Sequence, residues 1–267
     1  MRNISVPSEA FLQSRQNSAK AIQNLFWCMK ELVEGSSGEN EKINQLQSEI
    51  YALKQQVGKL GGEVIYNLPN ELGKSFNTLM SNNGIVMLTD NVTTGRFGPG
   101  ITAKNKVTLS LNSYNLTITN AGSNGGIQAR GTQQIDIAGK GTIDAGEGIC
   151  ILCNSANAVI NLKGSNTIYQ TDRPSAELIY CYAGTINISG GIFKNNGSPY
   201  LLNCYDANYK NGKAKIMVTG GKFYDFDPAD NGAEGEHTNF LAEGYVSVAS
   251  TVVEDGIEHT VYTVKKG

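Results

Sequence analysis

Apolar residues Ile43, Leu46, Ile50, Leu53, Val57 and Leu60 follow one another in alternating steps of three and four. That is a heptad seam, with β-branched residues at one core position and mostly leucine at the other, and it predicts a coiled coil. Rising about 1.5 Å per residue, the seam spans on the order of 27 Å. Gly61-Gly62 end it. Upstream, residues 8–34 read as a helix capped by Ser8, with Phe11, Ile22, Leu25, Phe26, Met29, Leu32 and Val33 at helical spacing and Trp27 and Cys28 beside them. A lone helix cannot bury so wide a stripe, so a partner surface is expected. Gly35-Ser36-Ser37-Gly38 separates the two helices. A third, short helix is predicted over residues 70–84, with Asn70 as cap, Leu72, Phe76, Leu79 and Met80 on one face, and Gly84 as terminator. Its place suits covering the open first rung of a sheet.

At Ile85-Val86-Met87-Leu88 the period changes from helical to strand-like. From there an apolar-x-apolar pair recurs: Leu109/Leu111, Ile135/Ile137, Ile160/Leu162, Ile186/Ile188, Ile216/Val218 and Val246/Val248, at spacings of 26, 25, 26, 30 and 30 residues. Gly139, Gly164, Gly190 and Gly220 each follow two residues after a pair. A period in the twenties without intervening helices is a solenoid signature. A second ladder runs in phase: Ile127/Ala129, Ile151/Cys153, Ile179/Cys181, Leu202/Cys204 and Phe240/Ala242. Strand alternation points both members of a pair to one face, and stacking at about 4.8 Å per rung turns them into interior columns.

The outward neighbours differ between the ladders. In the first they are mostly polar, at Asp136, Asn161, Asn187 and Ser247, with Met217 the exception, which predicts a sheet facing water. In the second they are Cys150, Leu152, Tyr180, Tyr182, Leu201, Tyr205 and Leu241. A strand apolar on both faces is covered on both. The expectation is a subunit interface at Leu152, Tyr180, Tyr182, Leu201, Tyr205 and Leu241, with a loop of the same chain as the other way to cover the stripe.

Composition agrees with a β-rich body full of tight turns: 31 glycines and 17% charged residues in 267. A formal charge of −2 and five scattered arginines give no reason to expect nucleic acid. No segment approaches the roughly 20 apolar residues that cross a bilayer, so membrane insertion is not expected. The start, Met1-Arg2-Asn3-Ile4-Ser5-Val6-Pro7, shows no secretion signal, which predicts a chain that folds in the cytoplasm. Five cysteines then read as reduced thiols rather than a disulfide framework.

The short helix leading into Asn82-Asn83-Gly84-Ile85-Val86-Met87-Leu88 resembles the entry into right-handed parallel β-helices of the pectate-lyase type. The stretch Gly220-Gly221-Lys222-Phe223-Tyr224-Asp225-Phe226-Asp227-Pro228-Ala229-Asp230-Asn231, continued by Thr238-Asn239-Phe240-Leu241-Ala242-Glu243-Gly244-Tyr245, is similar to the final rungs of β-helical proteins of gut bacteria and their tailed phages, crAss-like and related Bacteroides phages in particular. The resemblance covers about residues 70–267 and is specific to fold and source, not to an activity. It implies a fibre or spike on the virion, trimeric before dimeric. The expected fold is mainly β, a right-handed single-stranded parallel β-helix behind an α-helical coiled-coil stalk. Residues 1–38 form the virion attachment helix, anchored to a capsid or tail protein through Ile22, Phe26, Trp27 and Met29. The stalk occupies 39–62, a linker and capping helix 63–84, the β-helix 85–248 and a C-terminal hairpin 249–267.

Catalytic chemistry is not expected, and neither is a cofactor. Cys150 and Cys153 lie three apart on a strand and point to opposite faces, so they cannot share a metal. Asp225, Asp227, Asp230, Glu234 and Glu236 offer oxygens for Ca²⁺ but read better as turn and capping residues. The rival function is a polysaccharide depolymerase, because glycoside hydrolysis needs two carboxylates roughly 5 to 9 Å apart and neighbouring rungs bring side chains that close. The first ladder, however, follows Asp136 with Asn161 and Asn187. Binding of a host-surface glycan without cleavage is a third reading, with Tyr182, Tyr205 and Tyr209 as stacking surfaces.

Overall fold

The computed structural model describes residues 65–68, 76–98, 104–174, 177–194 and 197–267. The attachment helix and the stalk seam, with Ile22, Phe26, Trp27, Met29, Ile43, Leu46, Ile50, Leu53, Val57 and Leu60, lie outside the described residues. The compact unit that begins at Ile65 is mainly β, a parallel β-solenoid of about five turns.

Each turn visits three faces. The first ladder is built from β1 (Ile65–Leu68), β2 (Gly84–Leu88), β4 (Lys106–Ser110), β7 (Gln134–Ala138), the second halves of β9 (Ile151–Leu162) and β11 (Ile179–Ile188), and β14 (Ala214–Val218), all paired in parallel. The cysteine-bearing ladder is β6 (Ile127–Ala129), the first halves of β9 and β11, and β13 (Leu202–Cys204). The third face, β3 (Val92–Gly95), β5 (Leu116–Thr119), β8 (Gly141–Asp144), β10 (Thr167–Gln170), β12 (Ile192–Phe193) and β15 (Gly221–Tyr224), forms its own parallel sheet. β9 and β11 serve two faces because their pairing shifts register on either side of Ala183, where the chain bends.

The interior is a set of columns. Val107, Ile135, Ile160, Ile186 and Ile216 stack in one, and Val86, Leu109, Ile137, Leu162, Ile188 and Val218 in the next. All are buried. Each fully buried aliphatic side chain contributes about 1.5–3 kcal/mol relative to exposure. The pairing of Leu109 with Ile137, not Ile135, corrects the expected alignment by two residues. A slip of two preserves which face is inward, so the core composition survives the error.

The aromatic ladder on the third face was not anticipated. Leu116, Ile143, Tyr169, Phe193 and Phe223 are in register, and the last three rings stack at 4.9 and 4.7 Å. The Gly-Gly-x-Phe pattern serves this stack. Gly191 takes φ +120, and a Cβ there would sit 2.9 Å from ring atoms of both Tyr169 and Phe193.

Each end carries a cap over part of the stack. At the start, α1 (Phe76–Met80) buries Phe76, Leu79 and Met80, and Phe76 meets Phe97 edge-on at 6.0 Å. Phe97 bridges to Ile127, so the helix lies beneath the cysteine ladder, while β1 extends the first ladder. Asn105 Nδ2 donates to the carbonyls of Met80 and Asn82 at 2.8 and 2.9 Å, and Gln133 Nε2 donates to Asn105 Oδ1 at 2.6 Å, fixing the helix end to the core. At the far end, β16 (Tyr245–Glu254) and β17 (Ile257–Lys266) form an antiparallel hairpin that pairs with β15. Val246 and Val248 therefore belong to the hairpin and are not a sixth rung, and the hairpin starts at Tyr245 rather than 249. Phe240/Ala242 also leave the second ladder. The Val218 N–H donates to the Phe240 carbonyl and the Ala242 N–H to the Val218 carbonyl, which places this segment over the first ladder.

Candidate functional site

The cysteine-bearing face carries the candidate surface. Inside it, Ile127, Ile151, Ile179 and Leu202 form one column and Ala129, Cys153, Cys181 and Cys204 another. The first column is large and aliphatic throughout and the second small, alanine and then thiols. The thiols are free and fully buried. Hydrogen bonding to Cys181 and burial both push Cys153 up, and burial pushes Cys150 up, so neither is a nucleophile at neutral pH.

The column that alternates outward is Gln128, Leu152, Tyr180 and Asn203. Two residues expected at a subunit interface are not available for one. Leu152 is 4% exposed: Gly125 lies against it, close enough that a Cβ there would be 2.6 Å from the Leu152 Cβ. Leu201 is 1% exposed and precedes the strand, in the same place as Cys150 and Leu178 on the rungs below. The chain bends there, so two consecutive residues, Leu201 and Leu202, both face the core. Leu241 is half-buried and bridges Val218 on the other ladder. A loop of the same chain thus covers part of the stripe.

The tyrosines remain outside. Tyr182 and Tyr205 are 42% and 41% exposed, and their rings stack at 4.8 Å with planes 19° apart. The pair is held from behind. The Tyr205 N–H donates to the Cys181 carbonyl, and Asn208 Nδ2 donates to the Tyr182 carbonyl at 2.6 Å. Asn208 sits on α2 (Asp206–Lys210) with Tyr209, which is half-buried and turns its ring edge to Phe240 at 6.5 Å. Tyr209 therefore stands apart from the stacked pair and packs toward the core.

Carboxylates lie near Tyr180 on this face. Burial, with the charges of Glu177, Glu234 and Asp206 also contributing, pushes the Tyr180 phenol up to about 12. Glu234 caps the ladder: its Oε1 accepts the Cys204 N–H, a donor that the next rung of a longer solenoid would have taken. Burial raises the Glu234 carboxyl, against the pull of the Cys204 N–H. Acidic groups on the same face as the stacked rings disfavour an anionic partner.

The remaining acidic candidates are engaged elsewhere. Asp136 accepts from Asn161 at 2.5 Å, Gln134 at 3.1 Å and Lys163 at 2.8 Å, and Asn187 donates to Asn161 at 2.8 Å. This is a side-chain ladder running up the water-facing sheet. Burial alone would raise Asp136, but the Lys163, Asn161 and Gln134 hydrogen bonds and the Lys163 charge together hold it below its ordinary value. Asp227 Oδ1 accepts the Ala229 N–H at 2.9 Å, Asp225 Oδ1 the Thr260 N–H at 2.9 Å, and Asp230 meets His237 at 2.9 Å. Among the described residues, no three His, Cys, Asp or Glu side chains gather in a group fit to hold a metal ion. Comparison of the chain with protein-family models, with curated proteins and with solved structures returned no match.

Proposed function

We propose that this chain is a structural appendage of a tailed-phage virion. Its stalk, a coiled coil over residues 39–62, oligomerises the chain into a trimer, and the N-terminal helix attaches it to a capsid or tail protein. The β-solenoid, right-handed in this reading, projects as a rigid head. One observation carries the proposal: stacked apolar columns, capped at the C-terminal end, on which Asp136, Glu234 and Asp225 serve as ladder rung, cap and turn anchor. That is the chemistry of a spacer built for stiffness. The resemblance of residues 70–267 to phage β-helices supplies the context.

A second reading attaches to the same head. The stacked Tyr182–Tyr205 pair favours weak binding of a neutral host-surface glycan. Three outcomes separate the readings when purified protein meets neutral and uronate-bearing host polysaccharides. No retention leaves a purely structural head. Retention of the neutral polymer alone, lost in Tyr182→Ala with Tyr205→Ala, indicates glycan attachment. New reducing or unsaturated ends indicate a depolymerase and overturn the structural reading.

A further inference from the structure

Among the described residues, four of the seven exposed large apolar side chains lie on the C-terminal hairpin: Val246, Val248, Val253 and Ile257. They fall at its two ends, and strand alternation puts Val253 on one face of the ribbon and Ile257, Val246 and Val248 on the other. At the tip, Val253 and Ile257 are 65% and 60% exposed, more than any other large apolar side chain described. Val253 pairs directly with Glu258 and stands near Asp255 at the turn, while Glu254, opposite Ile257, is ion-paired with Lys194 of its own copy. At the base, Val246 pairs with Lys265 and Tyr245 with Lys266, while Val248 pairs with Thr263, itself opposite Lys222. Glu243 is the acid at that end. One end is thus apolar and acidic, the other apolar and mostly basic.

The two ends cannot compensate each other within one copy. β16 has ten residues, so tip and base are roughly 30 Å apart at about 3.3 Å per residue. The screening length at physiological salt is about 8 Å. The hairpin is also held stiffly. Glu254 accepts from Lys194 at 2.7 Å and from Tyr224 at 2.6 Å, and His259 meets Asp225 at 2.7 Å. A rigid arm with complementary ends is a self-association element, satisfied either across a two-fold axis or around a ring.

We infer that the tip of this hairpin, through Val253, Asp255 and Glu258, seats on the base of the hairpin of a second copy, on the face that carries Val246, Val248, Lys265 and Lys222. The contact is independent of the stalk. The test uses full-length chains in a Cys28→Ser background, the four described cysteines being buried. One population carries Asp255→Cys, the other Thr263→Cys beside Val248, with different tags, and they are mixed under mild oxidation. Tip-to-base disulfides are expected to exceed tip-to-tip ones by about tenfold. Glu258→Lys in the first population lowers the yield by at least about tenfold, and Lys265→Glu in the second restores it. Restoration also shows that the single variant folded. Absence of the tip-to-base disulfide, equal tip-to-tip yield, or indifference to Glu258→Lys overturns the inference. Repeating the mixture with Leu46→Asp and Leu53→Asp separates it from the stalk: the tip-to-base product persists if the hairpin contact is its own interface, and its loss overturns that independence.

Discussion

Gly191 and Asp136 mark two places where a single residue holds the solenoid in shape. Gly191 sits at φ +120 with ring atoms 2.9 Å from where its Cβ would be. Gly191→Ala adds backbone strain and a clash with the Tyr169–Phe193 stack, and we expect a loss of about 2–4 kcal/mol, read as a lower denaturant midpoint with unchanged slope. Asp136 is held below its ordinary 3.8 by its donors, although burial opposes them. A carboxylate lowered by folding stabilises the protein above its unfolded value, and that stability is lost as pH falls through the folded value. Acid unfolding of the wild type should therefore steepen below about pH 4. Asp136→Asn should flatten that limb while lowering stability at pH 7, and an unchanged acid profile would exclude the ladder as a pH-dependent element. Sequence reading found Asp136, Asn161 and Asn187 as an outward column but not their mutual hydrogen bonds, which depend on register.

Among the elements, the caps carry most of the risk of failure. Every interior rung has its backbone groups taken by the rungs above and below, whereas a terminal rung offers a free edge. The cysteine ladder ends on Glu234, whose Oε1 takes the Cys204 N–H. Glu234→Ala strands that donor, and a loss of about 1–3 kcal/mol is expected by chemical denaturation. Glu234→Gln keeps the acceptor and removes a carboxyl that burial already raises, so it should match or exceed the wild type at pH 7. The stalk is tested by Leu46→Asp with Leu53→Asp in a Glu258→Lys background, which places charge in the apolar seam with the hairpin contact also weakened; solution mass should fall to that of a smaller assembly, and unchanged mass would remove the stalk assignment. The short helix at Phe76–Met80 and the C-terminal hairpin were both legible from sequence, the first from its apolar face, the second from the turn at Asp255-Gly256. Strand β1 was not, because Ile65-Tyr66-Asn67-Leu68 stands before the helix and outside the repeat.

At the scale of the whole molecule, the solenoid buries its reactive groups along with its apolar ones. Cys150, Cys153, Cys181 and Cys204 are all free and buried. All four should resist thiol reagents in the native protein and react together on unfolding; early labelling of one would show a rung opening separately. The sequence alone determined the repeat and two interior ladders as far as Ile216/Val218 and Leu202/Cys204, because strand alternation and a period of 25 to 30 residues leave their trace in residue type. It left three things to tertiary structure. The stacking register is set by turn geometry, so Leu109 meets Ile137. The third ladder hides behind Gly-Gly-x-Phe corners, where aromatic and aliphatic residues share a column. The fate of the stripe at Leu152 and Leu201 depends on where a bend and a glycine turn fall in space, and apolar residues look alike in sequence whether their own chain or another covers them.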